Sequence, residues 1–215
     1  QIIHIKKMAN FIQKFFTPGR VENVSKETPQ RAKIISQIVR RELSRTQQTI
    51  AKWRSSTIQA ESIINPQRVG LLEIYRDVVL DAHLSSLMNT IKLKIQTGEV
   101  YICNADGTEN DELSDRFRDQ WFRKYLEHYA DALFYGHSLI QLGGIKNDVF
   151  VDLELVPREN VCPETGIVKR ESWSHSTDGV DFRSEPYSDW LIEIGDPRDL
   201  GILHKATPLI LWKKG

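Results

Sequence analysis

The chain has 215 residues, 40% of them hydrophobic, which is enough to bury a core as one domain or as a domain with an attached arm. Its 29 basic and 29 acidic residues cancel, which excludes a chain that is strongly basic throughout. The charge is unevenly spread, however. Residues 1–54 hold 12 Lys and Arg against 3 Asp and Glu, a net +9, and the remainder holds 17 against 26, a net −9. This split favours either head-to-tail pairing between copies of the chain or a basic arm on an acidic partner.

Two cysteines, Cys103 and Cys162, are too few and too far apart for a disulfide framework or a zinc site, and we expect both to be buried free thiols. The sequence has no apolar run of membrane-spanning length, and its N-terminus lacks the cleavage pattern of a signal peptide. We therefore expect a cytosolic protein that contacts no membrane and carries no metal or cofactor.

The first 60 residues predict an arm followed by basic helices. Residues 1–28 read as a short apolar stretch and a linker, and Thr28 with Pro29 is a helix-start signal for a basic helical segment at 29–60. The basic side chains of this segment predict either contacts with nucleic acid or with a neighbouring subunit, or a solvated helix face. They are Arg31, Lys33, Arg40, Arg41, Arg45, Lys52 and Arg54.

In residues 66–96 the apolar stripe of a predicted helix changes sides. Leu71, Tyr75 and Val78 share one face. Four candidates for packing between subunits lie on nearly the opposite face: Leu84, Leu87, Met88 and Ile91. We predict that the helix breaks near 81–83, or that its two halves bury against different partners, one of them a neighbouring subunit.

The next segment predicts a helix that runs directly into a strand. The helix has an apolar face that includes Trp121 and a charged face opposite, Gly136 can end it in a left-handed conformation, and 137–142 alternates as a strand does. Further strands are predicted at 99–103, 149–156, 166–173 and 189–194, and a last helix at about 199–213. We predict an α+β fold for 61–215, with helices leading and a mainly antiparallel sheet following.

Asp77, Asp81 and His83 suggest a metal site, because the two carboxylates are four residues apart on one helix face. That face also carries Glu73, and His83 points away from it. We interpret the group as a solvated acidic face, and we predict no metal site.

Asp131 falls within the apolar arc of its predicted helix, where a carboxylate needs a hydrogen-bond donor or a raised pKa. A structural hydrogen bond from a backbone or Trp N–H is one interpretation, and a general base with His128 or His137 is the other. The sequence holds no phosphate loop, dinucleotide fingerprint, G-x-S-x-G or H-E-x-x-H motif. We therefore predict no catalytic residues and a protein that is not an enzyme.

Tryptophan placement favours interfaces. Trp121 fits the core, whereas four others lie in polar surroundings where half-exposed aromatic side chains often anchor a partner: Trp53, Trp173, Trp190 and Trp212.

Four stretches occur in the order WRSSTIQAESIINPQRVGLLEIYRDVVLDAHLSSLMNTI, WFRKYLEHYADALFYGHSLIQL, LELVPRENV and PRDLGILHKATPLILWKKG. Together, over roughly residues 53–215, they resemble the N-terminal half of tailed-phage portal proteins, most closely those of the Mu-like group. Family members continue into long stem helices and a clip, which we expect to be absent from this chain.

The resemblance implies the wing region of a ring of about a dozen copies, made in the host cytoplasm and built into the virion at one capsid vertex. Such a ring is a conduit for DNA packaging and genome ejection, and it contacts terminase, capsid and tail or adaptor proteins. The alternatives are a nucleic-acid-binding module that uses the basic N-terminal segment, and a small hydrolase that uses Asp131 and a histidine.

Overall fold

The computed structural model describes residues 49–146, 149–151 and 153–214, all within the unit Ile34–Gly215. The predicted arm at 1–28 and residues 29–48 of the basic segment lie outside the described part of the chain. The helices within that part are α1 (Ile50–Ala60), α2 (Val69–Val78), α3 (Ala82–Gln96), α4 (Asp111–Arg116), α5 (Gln120–Tyr135) and α6 (Gly201–Lys214).

Short polar side chains start four of these helices. In each case the side-chain oxygen accepts a backbone N–H from the first turn, which satisfies a donor that the helix itself leaves unpaired. The capping residues are Thr49 before α1, Asp81 before α3, Asn110 before α4 and Asp119 before α5.

The strands in the same part of the chain are β1 (His137–Leu142), β2 (Ile145–Lys146), β3 (Val149–Phe150), β4 (Leu153–Leu155), β5 (Val161–Cys162), β6 (Ile167–Val168), β7 (Val180–Asp181) and β8 (Leu191–Gly195). They form three antiparallel sheets in the orders β4-β1-β8, β2-β3 and β5-β6-β7. In the first sheet β1 is central, with Ile140 opposite Leu155 on one side and opposite Ile192 on the other. The predicted α+β class is confirmed.

Three glycines allow α5, β8 and α6 to meet at backbone contact. Gly136 ends α5 with φ 84°, and a Cβ there would lie 2.1 Å from the carbonyl oxygen of Asp199. A Cβ on Gly201 would lie 2.2 Å from the carbonyl oxygen of Phe134, and one on Gly195 would lie 2.3 Å from that of Gly136. Side chains at these positions would separate the three elements, so the predicted role of Gly136 as a helix end is confirmed and extended.

Within residues 49–214, the described apolar side chains pack into two clusters. The first joins the helices and contains Ala60, Leu71, Leu72, Tyr75, Met88, Phe134, Leu200 and Leu203. The second lies between the first and third sheets and contains Leu139, Val156, Val161, Val168, Phe182 and Leu191. The hydroxyl of Tyr75 donates to the carbonyl oxygen of Leu200 (2.9 Å), which satisfies a buried polar group at the edge of the first cluster.

Several predicted elements are shorter than expected. Residues 99–103 do not form a strand, because Cys103 alone makes a bridge, with Glu109 across a turn. The predicted strand at 166–173 is confined to the two residues of β6, and that at 149–156 is divided into β3 and β4. The helix that contains Trp121 begins at Gln120, and a separate short helix, capped by Asn110, precedes it and ends at Arg116.

Candidate intersubunit surface

The predicted break between the two apolar stripes is present. α2 ends at Val78, and Asp81 begins α3 by accepting the backbone N–H groups of His83 and Leu84, both at 3.1 Å. Lys213 Nζ, at the far end of α6, lies 2.9 Å from Asp81 Oδ2. The hydrogen bonds from Lys213 and from Leu84 lower the pKa of Asp81. The break therefore holds a carboxylate that fixes the start of α3 and the end of α6 together.

The inner side of α3 packs on α5 and on the helical core. Met88 is buried in the first cluster and Leu84 is partly buried against it. At the next turn Lys92 Nζ forms an ion pair with Asp131 Oδ1 of α5 at 2.5 Å. Two of the four predicted packing residues, Leu84 and Met88, thus contact their own chain.

The other two lie at the exposed edge of the same face. Leu87 is 50% exposed and Ile91 is 40% exposed, one turn apart on the same face. We call these two residues the α3 stripe. Adjacent exposed apolar side chains on a helix that already packs on its own chain are a feature of surfaces that bind a partner.

Asp131 is buried, as its place in the apolar arc predicts, but its partners are two cations. Besides Lys92, Arg158 Nη2 lies 3.1 Å from Asp131 Oδ2 and donates to Ser138 Oγ at 3.2 Å. The Arg158 guanidinium also stacks 4.2 Å from the ring centroid of Tyr135. The predicted hydrogen bond from a backbone or Trp N–H is therefore wrong. Asp131 is a structural carboxylate that joins α3, α5 and the turn at 158–160.

Neither histidine that the sequence offered as a catalytic partner forms a pair with Asp131. His137 Nε2 lies 3.1 Å from Glu193 Oε1, and Arg183 holds the same carboxylate through two hydrogen bonds of 2.6 and 3.0 Å. Burial lowers the pKa of His128 and of His137. This arrangement ties β1 and β8 to the loop after β7, and it does not favour the hydrolase alternative.

The carboxylates of the predicted acidic face belong to α2 and to Asp81, the residue that caps α3. Asp81 is occupied by Lys213 and the N-terminus of α3, and the described residues contain no group of three or more His, Cys, Asp or Glu placed to hold a metal ion.

The basic segment is described only at its end. Lys52 lies 3.7 Å from Glu73 of α2, and Arg54 is exposed. The remaining five predicted contact residues fall outside the described part of the chain: Arg31, Lys33, Arg40, Arg41 and Arg45.

The cysteines and tryptophans divide by environment. Cys162 is a buried thiol as predicted, but Cys103 is exposed, because the residues around it form a surface turn rather than a strand. Trp53 packs partly buried against the first cluster, whereas Trp173 is 54% exposed and Trp212 is 79% exposed.

One exposed apolar feature was not predicted from the sequence. Ile63 is 99% exposed and Ile64 is 84% exposed, in the loop between α1 and α2. The sequence signal is the pair of isoleucines directly before Asn65-Pro66, since a turn at that point leaves them outside both helices.

Comparison with known protein families gives a match over most of the chain. The family model for the portal protein of Mu bacteriophage matches residues 72–215, which is 144 of the 215 positions. The chain belongs to this portal protein family. The predicted resemblance is therefore confirmed. Comparison with individually curated proteins gives no match.

The matched region begins in α2 and contains α3, α5, all of the sheets and α6. Both parts of the apolar stripe that changes sides, apart from Leu71, and the Lys92–Asp131–Arg158 group fall inside it. Membership implies a structural role in a phage portal. None of the described helices combines the length and the apolar character that crossing a bilayer requires.

Proposed function

We propose that the chain is the wing-like part of a portal subunit that assembles into a ring at one capsid vertex of the virion. The ring forms the conduit for DNA packaging and ejection and the attachment point for terminase and tail. Family membership supports this function, and the α3 stripe is the observation that carries the assembly step.

The argument for assembly is energetic. Leu87 and Ile91 together expose apolar surface whose burial would contribute about 1 to 2 kcal/mol per side chain. Helix α3 needs no further partner to be stable, because its inner side already packs on α5 through Met88 and the Lys92–Asp131 pair. The α3 stripe is therefore available to a second copy, and about a dozen such contacts close the ring.

The nucleic-acid function belongs to the same assembly in this proposal. The basic segment 29–60, which follows an arm at 1–28, lies near the acidic body of the next copy or near DNA in the packaged particle. The charge split of the sequence supports that assignment.

Imaging tests the proposal. The protein expressed from its complete reading frame is expected to form rings by negative-stain electron microscopy, and Leu87→Asp with Ile91→Asp is expected to yield folded subunits without rings. Asn89→Asp is the matched control, because Asn89 is exposed on the same helix but turned away from the stripe. Rings that survive the double substitution, or a wild-type protein that stays monomeric at every concentration, would contradict the proposal.

A further inference from the structure

The loop between α1 and α2 presents a rigid apolar projection. Ile63 and Ile64 stand almost completely in solvent, and Trp173 is 54% exposed in the loop after β6, which lies against theirs. We call these three residues the isoleucine tip.

Hydrogen bonds made by two partly buried side chains and one buried lysine hold the tip in place. Asn65 Oδ1 accepts the backbone N–H of Ser176 at 2.8 Å, and Gln67 Nε2 donates to the carbonyl oxygen of Ser174 at 2.8 Å. Gln67 Oε1 in turn accepts from Lys169 Nζ at 2.8 Å. Lys169 is 2% exposed and donates also to the carbonyl oxygen of Ser172 at 2.6 Å.

These bonds flank both halves of the tip, since Asn65 follows the isoleucines and Ser172 and Ser174 bracket Trp173. Bonds on both sides of these side chains restrain the loop with its apolar side chains in solvent, which favours a preorganised binding site.

The isoleucine tip and the α3 stripe are two separate surfaces. The two isoleucines of the tip precede α2 and the stripe follows it, and the ten residues of α2 span about 15 Å at 1.5 Å per residue. A ring built by rotation joins two different surfaces of each copy, whereas a two-fold dimer joins one surface to itself. One subunit that carries two distinct apolar surfaces meets the requirement for a ring.

The charges beside the two surfaces are complementary. Glu61 and Glu171 flank the tip, and within residues 61–65 and 169–174 the exposed base is Arg170, since Lys169 is buried. Helix α3 contains no acidic residue, and its exposed face carries His83 and Lys94 beside the stripe. A negative rim on the tip and a positive rim on the stripe favour contact between them over contact of either surface with itself.

We propose that the isoleucine tip of one subunit packs on the α3 stripe of the next subunit around the ring. The inference rests on the proposed function, because it identifies which surfaces of the chain that assembly joins. The tip supplies the projecting apolar side chains, and the stripe supplies the receiving helix face.

Paired cysteines test this contact in the protein expressed from its complete reading frame, with Cys103→Ser as the background because that thiol is exposed. Ile64→Cys with Leu87→Cys, treated with a short bismaleimide, is expected to give a ladder of covalent oligomers from intact rings. Ile64→Cys with Ile91→Cys is the second pair, so that a small offset between the surfaces does not hide the contact. Ile64→Cys with Leu133→Cys is the control, since Leu133 is exposed on α5 and belongs to neither surface.

The outcomes separate this inference from the function on which it rests. If rings form but neither cysteine pair cross-links more than the control pair, the proposed contact is wrong, while the proposed ring assembly still holds. Cross-linking by Ile64→Cys alone would show that the tip packs on the tip of another copy. Protection of the Ile64→Cys thiol from the bismaleimide only when terminase or capsid protein is added would show that a different protein covers the tip. Either result overturns the proposed contact. Charge reversal gives an independent check: Glu61→Lys and Lys94→Glu each reduce ring formation at low salt, and the double variant recovers it by at least half.

Discussion

Lys92 and Asp131 form an ion pair that fastens α3 to α5, with Arg158 on the other oxygen of the same carboxylate. The side chains of all three are mostly buried, so the pair is protected from solvent screening. Because Ile91 of the exposed stripe adjoins Lys92 on α3, this group helps to fix how the stripe is presented.

Asp131→Asn is expected to destabilise the chain by about 2 kcal/mol, because it leaves two partly buried cations without a counter-charge. Urea unfolding followed by tryptophan fluorescence measures the loss. Asp111→Asn, at an exposed carboxylate of α4, serves as the control and should change stability by less than about 0.5 kcal/mol. A double-mutant cycle with Lys92→Met should show clear non-additivity, and additive effects would show that the pair contributes nothing.

A charged substitution should affect stability differently in the buried part of the apolar stripe on α2 and in its exposed part on α3. Val78→Asp places a carboxylate at a position with 0% exposure in the core and should prevent folding or cost about 4 kcal/mol or more. Leu87→Asp adds the same group to an exposed position and should leave the unfolding midpoint within the range of ordinary surface substitutions. Circular dichroism and urea unfolding give both values, and similar losses at the two sites would mean that α3 is buried on both sides within one subunit.

The helix and strand around Gly136 could be predicted because one short segment holds all of their determinants: a helical apolar period, a residue that tolerates positive φ, and an alternating run. The partners of Asp131 could not, since Lys92 precedes it by 39 positions, Arg158 follows it by 27, and periodicity indicates burial without naming a partner. Strands of two residues, such as β6, are also too short for alternation to identify. Residues 99–103 show the reverse case, in which a strand-like pattern meets no second strand.

The contact at Gly136 gives a prediction with a close internal control. Gly136 and Gly107 have nearly the same positive φ, 84° and 86°, but a Cβ on Gly136 would lie 2.1 Å from a backbone oxygen, whereas nothing lies within 4 Å of one on Gly107. Gly107→Ala should therefore cost about 1 kcal/mol of backbone strain alone. Gly136→Ala should cost several times as much, because α5 and α6 must separate. Equal unfolding midpoints for the two variants would contradict the contact.

Glu193 should make the chain sensitive to acid. Burial raises the pKa of this carboxyl, but the hydrogen bonds from His137 and Arg183 outweigh burial and lower it to about 2, from an ordinary value of 4.5. A folded-state pKa below the unfolded one means that the contribution of Glu193 to stability is complete above about pH 4.5 and is lost as the pH falls toward 2.

Thermal unfolding measured from pH 6 to pH 2.5 tests this sign. Glu193→Gln should lower stability at pH 6 and flatten the decline between pH 4.5 and 2.5 relative to the unmodified chain. Glu112→Gln is the control, because Glu112 pairs with Arg116 at a side chain that is 82% exposed. If the two variants decline in parallel with the unmodified chain, the Glu193 contact does not contribute to the acid response.

The charge split predicts how assembly depends on salt. The net +9 of residues 1–54 and net −9 of the remainder are contiguous parts of a neutral chain, so we expect copies of it to attract one another, or DNA, through the basic segment. Exposed charges separated by more than about 10 Å lose most of their attraction at 0.1 M salt. Replacing Arg40, Arg41 and Arg45 with Gln should therefore reduce ring formation or DNA retention at low ionic strength and matter less at high ionic strength.

Sedimentation and DNA content of purified particles across a salt series measure the two effects separately. The control replaces three exposed bases elsewhere with Gln, at Arg123, Lys124 and Lys205, which removes the same charge from the acidic body. If charge complementarity drives assembly, this control should leave ring formation unchanged or improve it, because the body becomes more negative. A loss of assembly equal to that of the triple arginine variant would show that net charge, rather than its placement on residues 28–54, sets the salt response. Unchanged assembly and DNA content at every ionic strength would mean that the basic segment is a solvated helix face.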